Sequence, residues 1–165
     1  MASEQPPFVT FADLMAKVGY FLFHWSLLEQ SLTRNIETTR ARLSLAPLTV
    51  RGSLAERLDS WFELTSRLPE NAERRETAVT VRDQTLALKR IRNLTVHGLQ
   101  AGDADPDEGK GYIRCAVGGY AQPTGETVCF TMQELEHFTQ GIDACRRAFG
   151  NLDRFNYRTD FAIRS

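Results

Sequence analysis

The strongest constraint on the fold is an apolar stripe along a predicted helix from about Thr10 to Leu43. Thr10 and Asp13 have the spacing of an N-terminal capping box, with Asp in place of the usual Glu or Gln, and Pro47 stops any continuation. At about 100° per residue, the apolar side chains fall on one face about 120° wide. They are Phe11, Leu14, Val18, Phe21, Leu22, Trp25, Leu28, Leu32 and Ile36. Other elements must cover this face, which favours a bundle of helices.

Two further helices are predicted next along the chain. Ser53 and Glu56 form a capping box before a helix that we expect to end at about Leu68. A third helix is predicted over about 73–97. The residue after it, Gly98, holds the position where glycine commonly adopts a left-handed conformation and closes a helix.

A β-hairpin is predicted over about 111–131. Residues 112–117 and 126–130 alternate between polar and apolar types, and a connection rich in turn-forming residues separates them. A lone hairpin is marginally stable in water, so we expect it to pack on the helices or on a second subunit.

A fourth helix follows the hairpin. Thr131 and Glu134 form its capping box, and Gly150 is expected to close it. The predicted fold is therefore mainly all-α, an antiparallel four-helix bundle with a small hairpin inserted between the third and fourth helices. The chain of 165 residues is expected to form one domain with its core over about 10–150 and a tail at 151–165.

The composition limits the cellular compartment and the binding partners that are possible for this protein. The formal net charge is −1, so any binding of nucleic acid requires a local basic patch. Three cysteines without a CxxC spacing argue against a zinc site or a disulfide framework. Cys115 and Cys129 could face each other across the hairpin, and we interpret them as small apolar side chains. With no secretory leader and no apolar run long enough to span a membrane, the sequence predicts a cytoplasmic protein.

The main candidate site is the segment RNLTVH at residues 92–97, at the end of the third helix. With Arg92 at zero on a helical wheel, the apolar residues nearby lie between about 200° and 320°. These are Ala87, Leu88, Ile91 and Leu94. The polar residues lie between about 0° and 160°. These are Lys89, Arg90, Arg92, Asn93 and His97. We therefore expect the polar group to face away from the helix's own core, towards solvent or a second subunit.

Each polar residue suits a step in the cleavage of a phosphodiester. His97 can accept or donate a proton near neutral pH, and Arg92 can bind a phosphate oxygen and the charge that develops on it. Asn93 can orient the imidazole or the substrate, and Lys89 and Arg90 can contact an RNA backbone. The matching reaction is attack of an RNA 2′-hydroxyl on the neighbouring phosphate, with no metal or cofactor expected. The alternative is a polar helix face that ends in a histidine favoured by the helix C-terminus.

The pattern at residues 92–98, Arg-Asn-x-x-x-His-Gly, resembles the RNxxxH motif of HEPN (higher eukaryotes and prokaryotes nucleotide-binding) domains. The first helix adds Phe21, Trp25, Glu29 and Leu32, a spacing similar to the opening helix of several bacterial HEPN-like families. The resemblance covers the helical part of the chain and leaves the hairpin unmatched.

This resemblance implies a homodimeric, metal-independent endoribonuclease in which Arg92 and His97 of both protomers converge across a two-fold axis. Arg92 would bind the phosphate, His97 would act as acid or base, and Asn93 would position them. Many such enzymes act in toxin–antitoxin or phage-defence systems, so an antitoxin or other protein partner is expected. Some are inactivated by modification of a tyrosine two residues after the histidine, where this chain has Leu99.

Two other functions remain open. The family also contains noncatalytic members, so the chain could be a HEPN-like module that dimerises and binds a nucleotide or a protein. It could also be a helical scaffold in which Arg92 and His97 serve the dimer interface.

Glu29 is the second candidate catalytic residue, because it lies inside the apolar stripe of the first helix. A buried carboxylate must be protonated, hydrated or paired. We expect it to pair with Arg92 or to lie beside His97; the alternative is an ion pair with another arginine, such as Arg34 or Arg90.

Two segments bear on RNA binding. The loop at 103–108 is acidic, through Asp103, Asp105, Asp107 and Glu108, and near the site it would repel RNA. Either this loop points away from the site, or it acts as a gate, or the domain does not cut RNA. The tail interleaves arginines with aromatic rings, as a contact with single-stranded RNA would, and the alternative is that it docks on its own bundle or on a second subunit. Its residues of this kind are Arg154, Phe155, Tyr157, Arg158, Phe161 and Arg164.

Overall fold

The described part of a computed structural model contains four helices and one two-stranded antiparallel sheet. The structure describes residues 10–68, 72–99, 112–118 and 124–162, with the side chains of all but 72–73 and 153–162. The elements are α1 (Phe11–Arg42), α2 (Leu54–Ser66), α3 (Ala72–His97), β1 (Tyr112–Ala116), β2 (Thr127–Thr131) and α4 (Met132–Ala162). The predicted fold class, mainly helical with a hairpin between the third and fourth helices, is confirmed.

Capping boxes begin three of the four helices, as the sequence predicts. At α2, the Ser53 amide donates to Glu56 Oε2 at 2.7 Å and the Glu56 amide donates to Ser53 Oγ at 3.3 Å. The same reciprocal pair forms before α1 and before α4. These hydrogen bonds hold the pKa of the capping carboxyl below its usual value at Asp13, Glu56 and Glu134.

The end of the fourth helix was predicted wrongly. Gly150 does not close α4, which continues to Ala162, and its φ is not positive. The cause lies in the residues around the glycine. Phe149 is fully buried and Leu152 is 3% exposed, so the apolar face continues past residue 150 and the helix continues with it.

The chain divides into two compact units, which are described separately. The first contains Met1–Phe23 and Lys89–Thr139, and therefore the start of α1, the end of α3, the hairpin and the start of α4. One face of the hairpin belongs to the core of this unit. The buried residues of that core are Leu14, Val18, Ile113, Cys115, Phe130 and Leu135.

The second unit contains His24–Leu88 and Gln140–Ser165. The rings of Trp61 and Phe149 meet edge to face in its core, with 4.9 Å between their centroids. Beside them, the buried Asn35 accepts a hydrogen bond from Trp61 Nε1 at 2.7 Å and donates to the Phe149 carbonyl oxygen at 2.8 Å. One carboxamide thus satisfies polar groups of both α2 and α4, which allows them to be buried.

The register of the hairpin separates its two cysteines. Cys115 pairs with Val128, and Cys129 pairs with Arg114, so the two thiols lie on opposite faces. The expectation that they could face each other is wrong because they are one residue out of register. Cys115 and Cys145 are buried, whereas Cys129 is exposed, and all three are free. Burial raises the pKa of the Cys115 thiol to about 11, with a smaller contribution from Cys129.

No helix in the described ranges combines the length and the apolar character needed to cross a membrane.

Candidate functional site

The three residues of the candidate motif lie in the last turns of α3, within the first unit. Arg92 and Asn93 are half-buried, and His97 is exposed. Of the two candidate RNA contacts, Lys89 is half-buried and Arg90 is exposed. The structure therefore places the five polar residues at different depths instead of on one solvated face.

Ile91 and Leu94 pack against the core of the first unit, as the wheel predicts. Arg92 is half-buried and in line with the buried positions of α3, so it does not face fully outward as expected. At about 100° per residue, every fully buried position of the helix lies within about 60° of Arg92. These positions are Arg74, Ala78, Val81, Thr85 and Thr95. Ala87, which the wheel placed on the core face, is exposed. Only Arg90 and His97 face fully outward, as expected.

Two threonines explain why the buried side of α3 was missed. Thr85 is 0% exposed and Thr95 is 2% exposed, so polar residue types occupy core positions. Each hydroxyl finds an acceptor in its own helix: Thr85 donates to the Val81 carbonyl at 2.7 Å, and Thr95 donates to that of Arg92 at 2.9 Å. A threonine satisfied in this way can be buried, although hydropathy counts it as polar. Residues 78, 81, 85, 92 and 95 follow one another at intervals of three, four or seven residues, a helical spacing that could have revealed this buried side.

The Arg92 side chain contacts Asn93 and has no counterion among the described residues. Its Nη1 donates to Asn93 Oδ1 at 3.1 Å. Its Nε is buried and no described residue offers it an acceptor. No carboxylate in the described ranges pairs with Arg92, Lys89 or Arg90. A partly desolvated guanidinium without an anion is unfavourable, and a bound anion would relieve the imbalance.

His97 lies at the junction of α3 and the hairpin, and backbone hydrogen bonds hold the chain there. No side chain in the described part of the chain bonds to its imidazole. The next residue, Gly98, donates to the Leu94 carbonyl at 2.8 Å and accepts from the Ala116 amide at 2.7 Å. Leu99 then forms an isolated antiparallel bridge with Cys115. The chain therefore passes directly from α3 to the edge of β1 that lies opposite β2.

The reason for glycine at position 98 differs from the prediction. Gly98 does not have a positive φ, so it is not a left-handed cap. A Cβ at this position would overlap the Ala116 carbonyl oxygen and lie 2.8 Å from that of Leu94. Glycine is needed because two backbones approach each other closely here.

Glu29 has a different partner from the one expected. Its Oε1 accepts from Trp25 Nε1 at 2.6 Å, and its Oε2 accepts from Arg57 Nη2 at 2.5 Å, all within the second unit. Neither Arg92 nor His97 engages this carboxylate in the described structure, and the alternatives Arg34 and Arg90 do not either. Glu29 lies where α1 packs against α2. Arg57 was not predicted as its partner because no sequence pattern pairs these two helices.

Several other expectations concern residues that the structure does not describe. The acidic loop at 103–108 lies outside the described ranges, as do the tail side chains from Arg154 to Arg164. Within those ranges, no three His, Cys, Asp or Glu side chains come together in a way that could hold a metal ion.

Comparison of the chain with models of protein families, with curated proteins and with solved structures found no match.

Proposed function

We propose that this protein is a HEPN-like, metal-independent endoribonuclease that acts as a homodimer in the cytoplasm, in a toxin–antitoxin or phage-defence system. The support comes from the RNxxxH pattern at the end of α3 and from the state of its arginine. An antitoxin or another protein that masks the site is part of the proposal.

The observation that carries the proposal is that Arg92 has no counterion among the described residues. Other arginines of this protein have carboxylates at hydrogen-bond distance, such as Arg57 with Glu29 at 2.5 Å and Arg82 with Asp59 at 2.6 Å. Arg92 is half-buried and has only the neutral Asn93 carboxamide in the described structure. A guanidinium in this state favours a bound phosphate, whose oxygens match its donor geometry.

The proposed reaction requires one Arg92 and one His97, which two copies of this chain can supply together, and a proton from solvent. A neutral His97 imidazole accepts the proton of an RNA 2′-hydroxyl, and the 2′ oxygen forms a bond to the adjacent phosphorus. Arg92 stabilises the charge that develops on the non-bridging oxygens. The bond from phosphorus to the 5′ oxygen breaks, and that oxygen takes a proton from solvent water. The products are a 2′,3′-cyclic phosphate and a 5′-hydroxyl.

A second candidate function is a noncatalytic module that binds a nucleotide or a protein through the same residues. It is favoured by the isolation of His97, since no described side chain orients its imidazole. Acid–base histidines are commonly fixed by a hydrogen bond to their second nitrogen. In this alternative, Arg92 binds an anion and His97 takes no part in proton transfer.

The test is cleavage of a mixed RNA pool by the purified protein with EDTA present throughout. Wild type should leave cyclic-phosphate ends, and His97→Ala should fold without cleaving. His137→Ala is the matched control, because His137 is an exposed helical histidine of the same unit and should be dispensable. Binding of RNA or nucleotide without cleavage, weakened by Arg92→Ala, would favour the noncatalytic module. Equal cleavage by wild type and His97→Ala would refute the proposed mechanism.

A further inference from the structure

We infer that the hairpin holds the catalytic end of α3 in place and that Gly98 is the positioning residue of this junction. The inference rests on the proposed function, because it concerns the placement of His97 for proton transfer. It assigns a role to the hairpin, which the RNxxxH resemblance leaves unexplained.

The backbone amides of β1 form hydrogen bonds at both edges of the strand. The Val117 amide donates to the Glu126 carbonyl at 2.9 Å, so residue 117 bonds towards β2. In an antiparallel pair, successive residues point their amides to alternate sides. Ala116 therefore points its amide to the opposite edge of β1, where it donates to the Gly98 carbonyl at 2.7 Å. The end of α3 thus occupies this edge, and Leu99 extends the contact through its bridge to Cys115.

The strand β1 is itself firmly anchored in the core of the first unit. Ile113 and Cys115 are 4% and 0% exposed, in the core that contains Leu14 and Val18 of α1. The last turn of a helix lacks part of its backbone hydrogen bonding and frays easily. Here the residue directly after His97 is bonded to a strand that cannot move without opening this core.

The His97 imidazole is the group whose position depends on this junction. Because no described side chain bonds to His97, the backbone at residues 97 and 98 sets the position and direction from which the imidazole extends. Proton transfer requires a heavy-atom distance near 3 Å, and a displacement of about 1 Å can slow a reaction about 100-fold. A restraint on Gly98 is therefore a restraint on catalysis.

Two variants break the junction from opposite sides. Gly98→Ala places a Cβ against the Ala116 carbonyl, and Ala116→Pro removes the amide that bonds to Gly98 while keeping the bonds between β1 and β2. Gly19→Ala is the matched control, because a Cβ there meets nothing within 4 Å. We expect kcat for RNA to fall about 10- to 100-fold in either variant, with KM nearly unchanged because Arg92 still binds phosphate.

The double variant separates a shared effect from independent damage. If both substitutions act through one contact, Gly98→Ala with Ala116→Pro should lower kcat no further than the more damaging single variant. Multiplied losses in the double variant, or unchanged kcat in both single variants, would overturn the inference.

A second measurement does not depend on cleavage. In NMR spectra of folded protein, the His97 imidazole should give one narrow set of signals that shifts on addition of inorganic phosphate, in wild type and in Gly19→Ala. In Gly98→Ala and Ala116→Pro, the signals should broaden or split and the phosphate-induced shift should diminish. Unchanged signals in both variants would refute the positioning role. An RNA-inactive wild type that nevertheless shows these differences would refute the proposed ribonuclease and leave the positioning role standing.

Discussion

Arg57 and Arg92 show how similar residues can have opposite roles. Both are partly buried arginines on helices, and each has a buried Nε without an acceptor in the described structure. Arg57 contacts the Glu29 carboxylate, so its charge is balanced inside the protein. Among the described residues, Arg92 contacts only a neutral carboxamide, and we propose that a bound phosphate balances its charge. Neither the sequence nor a helical wheel distinguishes the two cases, because both depend on what lies opposite in space.

The Glu29 contact predicts the effect of Glu29→Gln. Glutamine can still accept from Trp25, but it removes the negative charge beside the Arg57 side chain, which is only 14% exposed. The free energy of unfolding should fall by about 1–3 kcal/mol, less than for a fully buried pair because the Glu29 side chain is 33% exposed. Urea unfolding measures the loss, with Glu37→Gln as control at an exposed position of the same helix.

The same variant tests the catalytic assignment of Glu29. We expect folded Glu29→Gln to cleave RNA as well as wild type. Loss of cleavage in a fully folded Glu29→Gln variant would show that Glu29 is a catalytic residue. Equal urea midpoints for Glu29→Gln and Glu37→Gln would show that the Glu29 carboxylate does not stabilise the fold.

At the level of elements, α1 and the three capping boxes were predictable because their signals are local. The buried face of α3 and the end of α4 were not, because both depend on tertiary burial. On α3, hydroxyls satisfied within the helix place Thr85 and Thr95 in the core. On α4, burial of Leu152 outweighs the tendency of Gly150 to end a helix. The motif at 92–97 was found from sequence, but the depth of Arg92 and the part played by Ala116 required the fold.

Because α4 continues past residue 150, we expect Gly150→Ala to stabilise the protein. Alanine is the better helix former, and a Cβ at residue 150 meets nothing within 4 Å. The free energy of unfolding should rise by about 0.5–1 kcal/mol, measured by urea or thermal unfolding. Gly125→Ala should do the reverse, because Gly125 has a φ of 80°. If residue 150 were a left-handed helix end, both substitutions would destabilise the protein.

The burial of Cys115 in the hairpin predicts how the free energy of unfolding depends on pH. Burial raises the pKa of Cys115 from 9.0 to about 11, so the folded protein holds this proton more tightly than the unfolded chain does. The corresponding stability is fully present below pH 9 and is lost as the pH rises towards 11. Cys115→Ala should reduce the fall in unfolding free energy between these two pH values, measured by urea unfolding at each. An unchanged pH dependence in this variant would show that other groups cause the fall.

At the level of the whole molecule, the question is whether one site can form within one protomer. Arg92 and His97 are five residues apart on one helix, which turns their side chains about 140° from each other. Arg92 follows the buried side of α3 while His97 is exposed, in keeping with that divergence. Two side chains that diverge on one helix converge on a phosphate more easily when each comes from a different copy.

Mixing two inactive variants distinguishes a shared site from a site within one protomer. Arg92→Ala and His97→Ala should each fail to cleave RNA alone. If Arg92 of one copy acts with His97 of the other, a re-equilibrated equal mixture contains heterodimers with one intact site, and cleavage should recover to about a quarter of the wild-type rate. Sedimentation velocity on the same samples verifies that dimers form and exchange. If heterodimers form and the mixture still does not cleave RNA, then either both residues of a working site belong to one protomer, or one centre needs Arg92 and His97 of both protomers. Because Arg92 diverges from His97 on its own helix, we expect recovery.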